Sequence, residues 1–201
     1  FCHNIPFRVL KESNMKNKGY GQYLSLVYDV LNADVKASEW ADFCEACFRK
    51  YAQCEVKHVC EIACGTGSVS VELEKRGYRL TSSDLSEDML LVAREKSENM
   101  DILYLNQDMR SFELFGTVDF IVSSLDCINY ITDKRDLLKV FRLVNNYLDP
   151  GGLFIFDINT RCKLENILGN NTFILENDDV FCSWQNEYDK VRRICDFYLT
   201  F

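Results

Sequence analysis

Histidine is nearly absent from this chain: two in 201 residues, His3 close to the first residue and His58 at the start of an apolar run. Chemistry that relies on a cysteine activated by a neighbouring histidine is thereby disfavoured, because neither histidine sits where a strand would deliver it to a ligand. Basic runs are lacking too. The formal net charge is -8, and without clustered Lys and Arg a nucleic-acid backbone is a poor partner. No stretch approaches the uninterrupted apolar length of a membrane-spanning helix, and no secretory leader is expected. The expectation is a cytoplasmic protein with no membrane contact.

Cysteine is plentiful, ten residues, but scattered over expected helices and strands rather than spaced as a disulfide framework, so reduced thiols are expected. Cys44 and Cys47 form a C-x-x-C that has no second pair to complete a zinc site, and no metal is expected. The remaining composition, 47% hydrophobic and 27% charged, suits one sizeable α/β core.

The stretch that organises the chain is His58-Val59-Cys60-Glu61-Ile62-Ala63-Cys64-Gly65-Thr66-Gly67-Ser68. Val56 to Ala63 reads as a buried parallel strand ending in a Gly-x-Gly turn. The following piece to Gly77 is ambiguous by periodicity, and the strand-like run from Tyr78 at βαβ distance makes it a helix. Strand, glycine turn and helix together make a nucleotide-binding start, in which Gly65 and Gly67 let the backbone turn tightly beside a ligand. A dinucleotide fingerprint would place a third glycine where Ser70 stands, and Glu61 near the strand end would repel a pyrophosphate and suit a cation. Asp84, at the end of the second strand, can accept two hydrogen bonds from a ribose diol. A ligand with a ribose and a positive group but no phosphate is implied, and S-adenosylmethionine fits.

Glu61-Ile62-Ala63-Cys64-Gly65-Thr66-Gly67 resembles the E/D-x-x-x-G-x-G motif of class I, Rossmann-like S-adenosylmethionine-dependent methyltransferases. Asp84-Leu85-Ser86-Glu87-Asp88-Met89 resembles that family's ribose-binding segment, and Gln107-Asp108-Met109 its adenine-binding segment. Asp119 to Leu125 resembles its fourth strand, and Leu148-Asp149-Pro150-Gly151-Gly152 its turn into the fifth. The resemblance spans roughly residues 56 to 158 and implies a methyltransferase of small bacterial single-domain type. It implies cofactor contacts from Tyr20, Glu61, Ala63, Gly65, Gly67, Asp84, Leu85, Met89, Gln107, Asp108, Met109, Ser124 and Leu125. The acceptor would approach the loop after the fourth strand, where Asp126, Asn129 and Tyr130 are candidates to orient or wall it; local turn bonding is the competing reading of Asp126 and Asn129.

The expected fold is a Rossmann-like parallel sheet flanked by helices, with N-terminal lid helices and an antiparallel β insertion after strand five. The expected division is 1–55 (arm and lid), 56–160 (cofactor-binding core) and 161–201 (β cap). Phe1 to Lys11 receive no assigned element. A Tyr-rich helix from Gly19 to Asn32 matches the family's lid helix through Tyr20, Tyr23, Tyr28 and Asp29, although core packing would use the same stripe. A second helix begins at Ser38, read as its N-cap. Another runs from Asp133 to Leu148 and ends at Pro150-Gly151-Gly152. Three alternating runs after residue 171 read as a meander covering the acceptor pocket, with Tyr28, Asn129 and Trp184 as substrate-side candidates. The complete family fold continues with a helix and two strands, so a fragment or truncated member is expected, with the fifth strand poorly covered. The implied activity is methyl transfer to a small-molecule acceptor by a monomer or homodimer. The alternatives are a degenerate domain that binds a partner or cofactor without catalysis and, disfavoured by Glu61 and Ser70, a nicotinamide oxidoreductase.

Overall fold

The computed structural model describes residues 7–9, 22–176 and 181–201. Two sheets carry the architecture. The larger is wholly parallel, in the order β4-β3-β2-β5-β6: β2 (His58–Ile62), β3 (Arg79–Asp84), β4 (Ile102–Asn106), β5 (Val118–Ser123) and β6 (Leu148–Phe156). The order reverses between β2 and β5, and at such a switch point the carboxyl ends of the strands leave a crevice.

Both faces of this sheet are covered, which explains the near-continuous apolar runs of its central strands. Val59, Phe120 and Val122 point to one side, against Ala41, Cys44 and Phe48 of α2 (Ala37–Tyr51) and Val69 and Leu73 of α3 (Ser68–Lys75). Cys60, Ile62 and Ile121 point to the other, against Val140 and Val144 of α5 (Lys134–Tyr147). The ambiguous segment after the glycine turn is therefore a helix, with Val69, Val71 and Leu73 buried. α4 (Glu87–Lys96) is capped by Ser86: its hydroxyl accepts from the Met89 N–H, and Glu87 and Asp88 lie in the positive first turn.

Two local expectations are corrected. α2 begins at Ala37 with Lys36 in the N-cap position, so Ser38 is inside the first turn and lends its carbonyl to Arg76. Pro150-Gly151-Gly152 does not separate helix from strand. α5 ends at Tyr147, β6 begins at Leu148, and the three residues form an irregularity inside the strand, where the register slips between Val118 and Phe120. Gly152 is required there because an added Cβ would lie 2.6 Å from the Asp119 carbonyl oxygen. β6 is an edge strand of the described sheet, with Phe141, Phe154 and Phe156 stacked beside it.

The smaller sheet runs β1-β9-β8-β7: β1 (Phe7–Val9), β7 (Thr172–Glu176), β8 (Phe181–Asp189) and β9 (Ile194–Thr200). The expected meander forms β7 to β9, and β1 adds a fourth strand, parallel to β9, from the arm that carried no assigned element. Its inner face packs Tyr188, Cys195 and Phe197 on Leu164 and Leu168 of a short π-helical turn (Lys163–Leu168), with Trp184, Phe173 and Tyr130 against the cluster. α1 (Gln22–Leu31) packs against α4. No helix among the described residues is long and apolar enough to cross a membrane.

Candidate functional site

At the switch point lies a cleft of about 620 Å³, lined by the ends of β2, β3 and β4, the loop after β5 and one face of α1. The backbone that forms it is bent by necessity. Ala63, Gly65 and Gly67 all have left-handed φ values (58°, 54° and 73°), and Gly67 caps α3. Gly67 is demanded by packing: an added Cβ would lie 2.8 Å from the Tyr104 hydroxyl and 3.1 Å from the Ala93 Cβ. Gly65 has open space beyond it, and its nearest neighbour would be the Tyr28 ring at 4.0 Å. One glycine thus closes the turn onto α4 while the other keeps the cleft floor clear.

Among the carboxylates that line the cleft, Asp84, Asp108 and Glu61 are each in a different electrostatic state. Asp84 accepts from the Gly65 N–H and the Ser86 N–H, both at 2.8 Å, cross-linking the glycine turn to the end of β3. Burial raises its pKa against those bonds. Since a carboxylate has about four lone-pair directions, two remain for a diol. Asp108, on the loop after β4, is gripped by the Arg110 side chain, whose Nε lies 2.9 Å from both oxygens, and its pKa falls for that reason. Glu61 is 1% exposed, accepts from the hydroxyls of Ser70 and Ser124 (the latter at 2.8 Å), and burial pushes its pKa up to about 7. Ser70 in turn shares a hydrogen bond of 2.7 Å with Ser82.

The helix α1 is tied across the mouth. Asp29 accepts from Thr66 Oγ1 at 2.6 Å and Ser68 Oγ at 3.3 Å, and pairs with Lys96 Nζ at 2.5 Å, while Lys96 also donates to Ser68 Oγ at 2.9 Å. Tyr28 lines the cleft beside this clasp and also a smaller adjoining hollow of about 240 Å³. On the far side, Leu125 and Asp126 are both left-handed, with φ of 59° and 56°. That turn is held from the segment after β6: the Asp126 N–H donates to Asp157 at 2.8 Å, the Asn159 amide donates to the Asp126 carboxylate, and the Asn159 N–H donates to Asn129 Oδ1 at 2.8 Å. Burial raises the Asp126 pKa to about 6.

The lining suits a ribosyl sulfonium better than a dinucleotide. Among its described residues there is no lysine, and its arginine, Arg110, is bound to Asp108. Leu85, Met89, Met109 and Leu125 supply apolar surface between the carboxylates, as a purine and a thioalkyl chain require.

Residues 59–152 match the family model described as "Methyltransferase domain". A solved S-adenosylmethionine-dependent methyltransferase from Clostridium acetobutylicum ATCC 824 shares 34% identity and a TM-score of 0.73, over 84% of this chain and 69% of its own. This chain belongs to the class I S-adenosylmethionine-dependent methyltransferases. Among curated relatives of these methyltransferases, the Bacillus subtilis (strain 168) protein YqeM, described as a methyltransferase, is 34% identical over 167 residues, which are 82% of this chain and 66% of that protein. An N,N-dimethyltransferase from Streptomyces venezuelae, named for a dTDP-linked amino-trideoxy sugar, is 28% identical over 103 residues, 51% of this chain and 43% of its own. The chain therefore spans less than two thirds of the length of some curated relatives.

Within this methyltransferase, the cleft brings together Glu61, Ala63, Gly65, Asp84, Leu85, Met89, Gln107, Asp108, Met109, Ser124 and Leu125 from four different strand ends. Gly67 shapes the turn without lining the cleft, and Tyr20 lies outside the described residues. Of the acceptor-side candidates, Tyr28 and Tyr130 line the cleft. Asp126 and Asn129 do not: their side chains accept from Asn159, in the segment after β6, rather than from their own turn. Trp184 is also away from the cleft, packed between Phe173 and Phe197 at ring distances of 5.5 and 5.4 Å, as alternating strand packing predicts. His58 sits at the opposite strand end, bonded to Thr81 and Arg79. Cys44 is part of the core, nine cysteines among the described residues are free, and no metal-holding cluster forms among the described residues. Arg110, Lys96, Asn159 and Cys127 were not singled out from the sequence. Arg110 carried the plainest signal, a guanidinium two residues beyond the predicted adenine carboxylate.

Proposed function

We propose that this chain binds S-adenosylmethionine in the cleft at the switch point and transfers its methyl group to a small-molecule acceptor. The observation that carries this reading is the convergence, on one 620 Å³ cleft, of a ribose-competent Asp84, an N–H-accepting Asp108 and a buried Glu61 around the Gly65-Thr66-Gly67 turn. The cofactor supplies an activated methyl group on a sulfonium. Asp84 would hold the ribose diol with its two remaining lone-pair directions, and Asp108 would accept from the purine amine. Met89 and Met109 would flank the ring with apolar surface. Tyr28 and Tyr130, both kept protonated by burial, would wall the acceptor's approach and exclude water. Rate enhancement then comes from alignment of acceptor and donor in a dry cleft, and no general base is required for an acceptor that arrives deprotonated.

The Streptomyces relative named for an amino sugar supports a small polar acceptor, and the acidic cleft is compatible with an amine. Titration calorimetry with S-adenosylmethionine and, separately, NAD tests the first half of the reading; binding of NAD alone would refute it. Incubation with methyl-labelled cofactor and fractionated metabolite pools tests the second half. Label entering a small-molecule fraction is the expected result, and cofactor binding with no label in any fraction would return the non-catalytic alternative.

A further inference from the structure

Asp108 is not a solitary acceptor. Its carboxylate receives the Arg110 backbone N–H at 2.8 Å, Arg110 Nε at 2.9 Å on each oxygen, and Arg110 NH2 on Oδ2. The far end of the guanidinium faces Asp136 Oδ2 at 3.7 Å, in the first turn of α5, and Asp136 is held from its own helix by Lys139 Nζ at 2.7 Å. Arg110 thus joins the loop after β4 to the first turn of α5, and it lines the cleft beside Asp108 and Met109. A forked guanidinium fixes the plane of a carboxylate as a point-like ammonium does not. Three N–H groups of Arg110, one of them shared between both oxygens, occupy the roughly four lone-pair directions of the Asp108 carboxylate and leave about one for a further donor.

We propose that Arg110 is a positioning residue for purine recognition: by clamping Asp108 against Asp136 it presents a fixed acceptor that admits a 6-amino purine and rejects a 6-oxo purine. This rests on the cofactor reading above. The 6-oxo ring turns a carbonyl oxygen toward the carboxylate, leaving two facing acceptors and a charge without its hydrogen bond. Released from Arg110, the Asp108 side chain can rotate away from that conflict, and discrimination is lost together with adenine affinity.

The test uses S-adenosylhomocysteine and S-inosylhomocysteine as probes, titrated into the whole chain and into Arg110→Ala, Arg110→Lys and Asp136→Asn, each checked for a cooperative melt. The unsubstituted chain is expected to prefer the adenosyl compound by about tenfold or more, the scale of a charge-assisted hydrogen bond lost against one left unpaired. Arg110→Ala should bring the ratio to within about threefold, chiefly by weakening the adenosyl compound. Arg110→Lys should restore only part of the ratio, and Asp136→Asn should reduce it less than Arg110→Ala does. If Arg110→Ala and Arg110→Lys weaken both compounds in parallel and keep the ratio, Arg110 only supports the loop and the proposal is overturned. Should Arg110→Ala fail to melt cooperatively, the Arg110→Lys ratio decides: a ratio equal to that of the unsubstituted chain overturns the proposal. Failure of the unsubstituted chain to bind S-adenosylhomocysteine at all would overturn the cofactor reading itself, and this inference with it.

Discussion

Replacing Glu61 by Gln should make the protein more stable at alkaline pH and a poorer sulfonium binder. Glu61 is enclosed by Ser70, Ser82 and Ser124, and burial raises its pKa from 4.5 to about 7 even though two serine hydroxyls donate to it. Below pH 4.5 the group is protonated in both folded and unfolded chains and contributes no pH dependence. Between 4.5 and about 7 the unfolded chain has lost the proton and the folded chain retains it, so stability falls with rising pH and levels off above about 7. At 1.36 kcal/mol per pH unit, the interval corresponds to about 3 kcal/mol. Gln keeps the shape and one acceptor, and its amide can donate to a serine oxygen, so Glu61→Gln should lack most of that decline. Urea titrations at pH 4.5, 6 and 8 would show the unsubstituted chain losing on the order of 2–3 kcal/mol that the variant keeps. The functional effect has the opposite sign. Two opposite unit charges several ångströms apart attract by on the order of 2 kcal/mol at an effective dielectric of 20, before solvent and counter-ions reduce it, and that is the scale open to an ionised Glu61 and a sulfonium in the same cleft. The neutral thioether S-adenosylhomocysteine feels none of this. Calorimetry at pH 8 should therefore show Glu61→Gln lowering affinity for S-adenosylmethionine several-fold more than for S-adenosylhomocysteine. Parallel pH profiles for the two proteins, or equal losses for the two ligands, would refute the assignment of a titrating carboxylate to the cleft.

Further substitutions probe the turn, the ribose site and the clasp. Asp84→Ala removes the acceptor for the Gly65 and Ser86 N–H groups as well as for a ribose, so calorimetry should show cofactor affinity down by about tenfold or more and the melting temperature should fall. Gly67→Ala places a Cβ 2.8 Å from the Tyr104 hydroxyl in a left-handed conformation, and denaturant unfolding should register a loss of about 2 kcal/mol or more; Tyr104→Phe in the same chain should recover part of it. Asp29→Asn should loosen α1 from the glycine turn, read as faster amide exchange over residues 22–31, with Lys96→Met giving the same change and the double variant no further one.

The parts of this methyltransferase legible in its sequence are those set by neighbours in the chain. Near-continuous apolar runs located the central strands β2 and β5, because a strand buried on both faces is largely apolar along its length, while β3, with Thr81, Ser82 and Ser83, is legible from its βαβ distance to the glycine turn. Asp84 closes β3 and Asp108 stands two residues beyond β4, so once the strands were placed, both carboxylates had to lie at the cleft edge. The same local reading went astray at Pro150-Gly151-Gly152, where a turn composition is absorbed into a strand by its pairing with β5.

Pairing and contact between distant segments were decided by the tertiary structure. β1 finds its partner β9 across nearly the whole described chain, and nothing in Phe7-Arg8-Val9 names that partner. Glu61 reads from the sequence as a carboxylate near the strand end that suits a cation. Enclosure by Ser70, Ser82 and Ser124, which arrive from three other elements, makes it a buried group near its titration point instead. Asp126 and Asn129 are held by Asn159, and Asp29 by Lys96, each through a partner whose place depends on where another element packs. Sequence periodicity determined which backbone reaches the cleft. Which lone pairs there remain available to a ligand was decided only when the elements packed, because hydrogen-bond partners are chosen by distance in space.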